Sequence, residues 1–455
     1  MTSHAFTPKI PEKQIDVIAS GRNARKGRIA LDLEHDVRFS TNALESYSFA
    51  RWEPVIFDAM VVAAAIEYGD RVVKRRPQGW ARRLSLRIPV HNPDRWNAPD
   101  VSSTLHDAVG FLTGDFWSID FVKRSNEAPS PTQDHLNLPV PTEAVLAYSD
   151  GMDSRAVAGI IGTSLGDKLV RVRVGTKTSD LPKRGNGKKP FTKVPYDVPC
   201  NMPNRETSAR SRGFKFSLIT AIAAYLTDAK EIIIPESGQG AIGPALITVG
   251  HAYPDYRNHP LFTVRMERFI KALLDKSVRY VFPRIWNTKG ETLNEYASLP
   301  SDGDWNATRS CWRNNQWSSV NGKLRQCGVC AACMLRRVAV YTAGLTENTD
   351  TYICTNMKAA NLENAVDPSF TRLNSAFREY AIAGILHMAH LAAMSADNAE
   401  PLVRRHATLL APALSLSHGE VAEHLHSLLT KHTKEWNNYM ESLGPKSFVA
   451  SWTQD

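Results

Sequence analysis

Apolar positions in the first part of the chain fall into short, separated runs. Ile29-Ala30-Leu31-Asp32-Leu33 is one such run, and the Val-, Ala- and Ile-rich spacing over 54–69 predicts a helix. Leu84-Ser85-Leu86-Arg87-Ile88-Pro89-Val90 alternates with the period of a half-buried strand. Residues 1–124 therefore read as an α+β region. Residues 125–142 carry prolines at 129, 131, 139 and 141 among Asn, Ser and Asp, a composition that marks a linker.

From residue 143 the rhythm becomes strand, then helix, repeated. Strands are predicted at 144–148, 169–174, 231–235 and 278–282, with helices at about 153–163, 214–228 and 261–274. Such alternation predicts an α/β domain over 143–345, with parallel strands joined by helical crossovers and ligands held at the carboxyl ends of the strands. Residues 346–455 show helical spacing over 377–394 and 403–429 and no strand run, so a helical C-terminal region is expected.

Composition narrows the class without naming a function. The chain has 455 residues, enough for two or three domains, and its 43% hydrophobic and 22% charged residues exclude collagen-like, low-complexity and coiled-coil proteins. Fifty-five Lys and Arg against 46 Asp and Glu give +9, a mild excess that does not by itself call for nucleic acid. The densest basic run, Lys177, Lys183, Arg184, Lys188, Lys189 and Lys193, reads first as a solvated loop and second as a dock for an anionic ligand. The start carries no signal-peptide pattern, and the most apolar window, Val55 to Tyr68, contains Asp58 and Glu67 and is shorter than the roughly 20 residues of a membrane span. A cytoplasmic protein with no membrane partner is expected.

Two constellations carry chemistry. Ser149-Asp150-Gly151-Met152-Asp153-Ser154 stands where a strand turns into a helix, so backbone N–H groups and a helix N-terminus converge on an anion site. Ser149 and Ser154 add hydroxyl donors, and Asp153 would hold Mg²⁺ against phosphate or cap the helix. The same residues would equally make a plain turn. The second constellation is Cys311 followed by Cys327, Cys330 and Cys333, which hold four of the six cysteines. Thiolates at this spacing close on one tetrahedral ion and leave no open position, which predicts structural Zn²⁺. A zinc ribbon on nucleic acid is an alternative, though it leaves the strand–helix half unexplained. Trp305, Trp312 and Trp317 near Cys311 would pack the metal site or stack on a planar base.

The loop resembles the Ser-Gly-Gly-x-Asp-Ser signature of PP-loop ATP pyrophosphatases, with Asp150 where the signature has Gly. The loop followed by Ser310-Cys311-Trp312 and then by Cys327-Gly328-Val329-Cys330-Ala331-Ala332-Cys333-Met334-Leu335-Arg336 resembles the QueC family of 7-cyano-7-deazaguanine synthases. Tyr253-Pro254-Asp255-Tyr256-Arg257 and Thr288-Lys289-Gly290-Glu291 resemble the family's Tyr-Pro-Asp-Cys-Arg and Thr-Lys-x-Glu in the same order. The resemblance covers about residues 143–345 and implies an adenine-nucleotide alpha-hydrolase-like (PP-loop) core with a Cys₄ zinc site.

The resemblance implies that Ser149, Asp150, Gly151, Met152, Asp153 and Ser154 bind ATP with Mg²⁺, and that Asp153 and Lys289 are catalytic. Asp255 and Arg257 would contact a deazaguanine-type substrate, and the four cysteines would hold Zn²⁺. Arg210 and Arg212 match the family loosely and read as a solvated basic turn. The flanks exceed what such a synthase needs, a layout similar to long QueC-like proteins of the Qat and type IV CBASS antiviral operons. That similarity implies an ATP-dependent carbon–nitrogen ligase joining a deazaguanine acid to an amine on a protein partner from the same operon. An ordinary synthase making the nitrile, and a non-catalytic scaffold or nucleic-acid binder, stay open.

Overall fold

A computed structural model of the chain describes residues 10–18, 23–41, 44, 53–76, 79–125, 141–175, 191–202, 205–207, 209–250, 253–300, 305–313 and 318–454. Most of the linker segment 125–142, the basic side chains from Lys177 to Lys189, and Trp317 lie outside them.

In chain order come β1 (Glu12–Ile18), β2 (Ile29–Asp32), β3 (Arg38–Phe39), α1 (Pro54–Val72), β4 (Arg83–Val90), α2 (Pro99–Thr113) and β5 (Phe116–Lys123). Next are β6 (Ala144–Tyr148), α3 (Met152–Leu165), β7 (Leu169–Val174), β8 (Phe191–Val194), β9 (Tyr196–Asp197), α4 (Arg212–Leu226) and β10 (Glu231–Ile233). Then follow α5 (Pro260–Leu274), β11 (Arg279–Val281), α6 (Lys289–Ala297), β12 (Ser319–Val320), β13 (Lys323–Leu324) and α7 (Ala331–Thr342). The remainder is helical, with α8 (Ser375–Ala393), α9 (Glu400–Leu414), α10 (His418–Leu443) and α11 (Phe448–Thr453) as its longer elements.

Contacts divide the chain into two compact units: Met1–Ala147 with Asp167–Ile232 and Phe262–Tyr280, and Tyr148–Gly166 with Ile233–Leu261 and Val281–Asp455. The first unit carries a four-stranded sheet of order β2-β1-β4-β5 in which every pair is parallel. This corrects the expectation for residues 1–124: the region is α/β, with parallel strands, and not α+β. Alternation along β4 buries Leu84, Leu86, Ile88 and Val90 as read from the sequence. A period of two identifies the buried face, however, and says nothing of strand direction. α1 is buried nearly all round, as its lack of a polar face requires.

A five-stranded sheet, whose strands fall almost wholly in the same first unit, has the order β11-β10-β6-β7-β8, with β7 and β8 parallel. The chain leaves β6 for β7 on one side and later returns to place β10 on the other, so strand order reverses at β6. Ligands in such sheets gather where the order reverses. The residues that follow β6 are Ser149–Ser154.

In the second unit the C-terminal helices share one core with the cysteine segment. Phe377, Ile385 and Met388 of α8, Trp436 and Tyr439 of α10 and Phe448 of α11 are buried with Val329, Met334 and Val338. α8 comes so close that a Cβ on Gly384 would stand 2.3 Å from the Val329 carbonyl oxygen and 2.6 Å from the Ala331 nitrogen. α10 begins with a capping box of Ser417 and Glu420 and buries a stripe from Val421 through Leu425, Leu428, His432 and Glu435 to Tyr439. No helix among the described residues is long and apolar enough to cross a membrane.

Candidate functional site

The loop after β6 turns in three residues and starts α3 at Met152, with Gly151 as its N-cap in extended conformation. The Ser149 hydroxyl stands 2.9 Å from that of Ser154 and accepts from the Gly151 N–H at 3.1 Å. A Cβ at Gly151 would lie only 3.1 Å from Ser149 Oγ, so a larger residue there crowds the turn. The Arg309 N–H donates to the Asp150 carbonyl at 2.8 Å and ties the loop to the segment before Cys311. Asp150 is thus held by its backbone where the signature has Gly. Met152 is buried with Leu293, Ala339 and Val340, so its side chain anchors the loop and only its backbone faces the turn.

Asp153 stands in the first turn of α3, where a carboxylate is favoured by the helix dipole. Its Oδ2 pairs with Lys289 Nζ, and both side chains are buried. Asp153 Oδ1 is buried with no hydrogen-bond partner among the described residues. Burial pushes the Lys289 ammonium down to about 7, and the Arg336 guanidinium pushes the same way. Lys289 opens α6, whose N-cap Thr288 forms a capping box with Glu291.

Behind this pair stands a polar cluster with no local sequence signature. Gln239 accepts from the Lys289 N–H at 2.8 Å and donates to His432 Nδ1 at 2.8 Å and to Glu435 at 3.3 Å, while Thr288 donates to Glu435. Burial pushes Glu435 up to about 7 and His432 down to about 4. His432 and Glu435 lie 193 and 196 residues from Gln239 in sequence, beyond the reach of any spacing rule.

Asp255 and Arg257 are brought together. The guanidinium holds the carboxylate in a two-pronged pair, Nε to Oδ2 at 2.9 Å and Nη2 to Oδ2 at 2.6 Å, with Nε also 3.0 Å from Oδ1. Glu236, at the end of the segment leaving β10, accepts from Asn258 at 2.9 Å, and burial pushes its carboxyl up to about 7. Arg210 and Arg212 lie in the first unit against the rings of Trp80 and Phe216.

The four cysteine sulfurs of 311, 327, 330 and 333 lie within 4.8 Å of one another, and no disulfide joins them. Cys327 Sγ is 3.8 Å from Cys333 Sγ. A tetrahedral ion with metal–sulfur bonds of ~2.3 Å sets sulfurs about 3.8 Å apart, so the donors and their spacing fit zinc. The Cys327 N–H donates to Cys311 Sγ at 3.2 Å and the Cys330 N–H to Cys327 Sγ at 3.3 Å, the outer bonds that steady thiolates on a metal. Gln326 Oε1 accepts from the N–H groups of Ser310 and Cys311 and so brings the distant ligand to the loop. The other three cysteines hold the Cys311 thiol well below its usual range, whereas burial pushes Cys330 and Cys333 up.

The family model described as queuosine biosynthesis protein QueC matches residues 213–344. That segment contains Asp255, Arg257, Lys289 and all four cysteines, and it begins beyond Ser149–Ser154. No curated protein matches the chain.

Proposed function

We propose that the protein is an ATP-dependent, adenylate-forming enzyme of the QueC type that activates the carboxylate of a 7-deazaguanine acid and joins it to an amine. The observation that carries this reading is the buried Asp153–Lys289 pair. It joins the Ser149–Ser154 loop, which lies outside the matched segment, to the Thr288-Lys289-Gly290-Glu291 motif inside it.

The chemistry has two steps. A carboxylate oxygen of the acid attacks the α-phosphorus of ATP, forming a mixed anhydride with AMP and releasing pyrophosphate. The amine then attacks the acyl carbon, loses a proton and expels AMP, leaving an amide. Ser149, Ser154 and the N–H groups of the turn would bind phosphate oxygens, and Lys289 would stabilise charge gathering on the transferring group. Asp153 would hold Lys289 in place and offer its free Oδ1 to Mg²⁺. Zinc would be structural, since four thiolates leave it no open position.

The amine in this reading sits on a partner protein encoded nearby, and the setting is antiviral defence. Its support is the amount of ordered chain beyond the matched segment: a parallel sheet before it, and helices after it that share the core of the cysteine loop. Pyrophosphate release from ATP that depends on 7-carboxy-7-deazaguanine tests the first step, and an intact-mass increase on a co-expressed operon partner tests the second. An unchanged partner, with nitrile formed from acid, ammonia and ATP, would make the protein an ordinary synthase, the reading that the matched family itself favours. Absence of pyrophosphate with any deazaguanine acid would leave a non-catalytic scaffold.

A further inference from the structure

α10 brings Lys431 and Glu435 onto the first turn of α6 and His432 onto Gln239. Lys431 Nζ lies 2.8 Å from Glu291 Oε1, and Glu435 accepts from the Thr288 hydroxyl and from Gln239 Nε2. His432 Nδ1 accepts from the same Gln239 nitrogen at 2.8 Å. His432 Nε2 stands 3.1 Å from the Met388 carbonyl and must donate there, which leaves Nδ1 as the acceptor. That fixes the Gln239 amide: its NH₂ faces α10 and its oxygen faces the Lys289 N–H. Thr288, Gln239, His432 and Glu435 are all buried.

A buried polar chain of this kind is dearer than an apolar core of the same volume, and its specific gain is orientation. Here two successive residues at the start of α6 are each held: Thr288 by Glu435 and Lys289 by Gln239. The fit leaves no slack, because a Cβ at Gly290 would fall 2.8 Å from Glu435 Oε1 and 2.9 Å from Thr342 Cβ. The position of Lys289 against Asp153 is therefore set in part from the C-terminal region, outside the segment that matches the family.

We propose that Gln239 and Glu435 are positioning residues for Lys289, so that α10 is a built-in part of the candidate ATP site. This rests on Lys289 acting on the adenylate as proposed above, and the test separates the two claims. Glu435→Gln keeps the size of the side chain, but whichever way its amide turns, Thr288 or Gln239 loses an acceptor. Gln239→Leu removes the acceptor for the Lys289 N–H. The groups facing Lys289 are Asp153 and Arg336, and those facing Glu435 are Thr288, Gln239, Glu291 and Lys431; Glu435→Gln substitutes none of them.

The first readout needs no substrate. Competitive acylation of full-length, zinc-loaded protein with acetic anhydride at a fixed pH, read by mass spectrometry of the Lys289 peptide, reports that amine's accessibility and reactivity. Both variants are expected to move them, while Glu423→Gln on the exposed side of α10 leaves them as in the unaltered protein. The second readout is pyrophosphate release, where kcat should fall by up to about a hundredfold with KM for ATP changed by about twofold or less. Melting and zinc content check the fold, and Glu435→Gln alone decides if Gln239→Leu does not fold. Unaltered Lys289 labelling in a folded variant overturns the proposal, whatever the activity. An unaltered protein that releases no pyrophosphate overturns the adenylation reading, and the labelling still decides the positioning.

Discussion

Lys289 Nζ and Asp153 Oδ2 meet as a buried ion pair across 136 residues of sequence, each at the first turn of its own helix. Two charges in a dry site stabilise only while both are present. Removing one strands the other at ~3–5 kcal/mol, whereas replacing both by apolar groups of like volume is close to neutral. Lys289→Met and Asp153→Leu are each expected to lower unfolding free energy by that order, and the double variant to recover most of it. Activity behaves differently, because neither the single nor the double variant retains the amine beside the acidic group. Urea unfolding and acid-dependent pyrophosphate release, measured on the same three proteins, check this. A stable, active double variant would remove the pair from the proposed chemistry.

The cysteine cluster makes a prediction that needs no substrate. One zinc per chain is expected by metal analysis, with Cys330→Ser losing both metal and several kcal/mol of stability, since apparent zinc binding contributes on the order of 10 kcal/mol to folding in small sites. Cys354 is the control. It is buried beside Met357, its Sγ 3.5 Å from that sulfur, and stands outside the four-sulfur cluster. Cys354→Ser should keep its zinc and lose only about 1–3 kcal/mol for a buried hydroxyl. Equal zinc loss in both variants would contradict the ligand set.

The parts of the site that the sequence made legible are those whose chemistry is local. Ser149 to Ser154 and Cys327 to Cys333 each crowd their donors into a few residues, so spacing alone states what they can do, and the structure brings Cys311 to the latter as expected. Asp255 and Arg257 were legible as a pair of types. Their partnering with each other follows from a turn too tight for pattern reading. Gln239, His432 and Glu435 were not legible, because their meaning lies in a contact between α10 and the start of α6 that no periodicity encodes. The direction of β1, β2, β4 and β5 was hidden for a related reason: alternation fixes a face and leaves the neighbour open.

Two helical glycines should respond oppositely to alanine. Gly384 of α8 faces backbone: an added methyl group would fall 2.3 Å from Val329 O and 2.7 Å from Cys330 C, and neither neighbour can rotate away. Gly384→Ala should cost ~1–3 kcal/mol or more by overpacking, and it should loosen the cysteine loop. Gly419 lies in the first turn of α10 with open space around it. Gly419→Ala should stabilise by roughly 0.5 kcal/mol through the smaller entropy of the unfolded chain. Thermal unfolding of both variants checks the signs, and a neutral Gly384→Ala would mean that α8 does not pack this closely on Val329.

Acid should weaken the second unit through its buried histidines, with two carboxyls pulling the other way. Burial pushes His387 down to about 3 and His406 and His432 down to about 4, against 6.5 in an unfolded chain. Their contribution is fully present above pH 6.5 and is lost as pH falls, because the unfolded chain takes up protons first. His406 and His432 each supply at most roughly 3 kcal/mol, and His387 at most roughly 5 kcal/mol. Glu236 and Glu435, pushed up to about 7 by burial, have the opposite sign. Their contribution is fully present below about 4.5 and is lost as pH rises to about 7. Glu435→Gln removes one opposing slope, so stability should fall more steeply between pH 6.5 and 4.5 than in the unaltered protein. His406→Phe should flatten the same interval. His259 Nδ1 accepts from the Leu261 N–H, so its Nε2 donates to His406 Nε2 at 3.2 Å, and the substitution also costs that bond. That cost does not vary with pH, and the slope of unfolding free energy against pH is the quantity to read. Equal slopes in all three proteins would place these groups in contact with water in the native state.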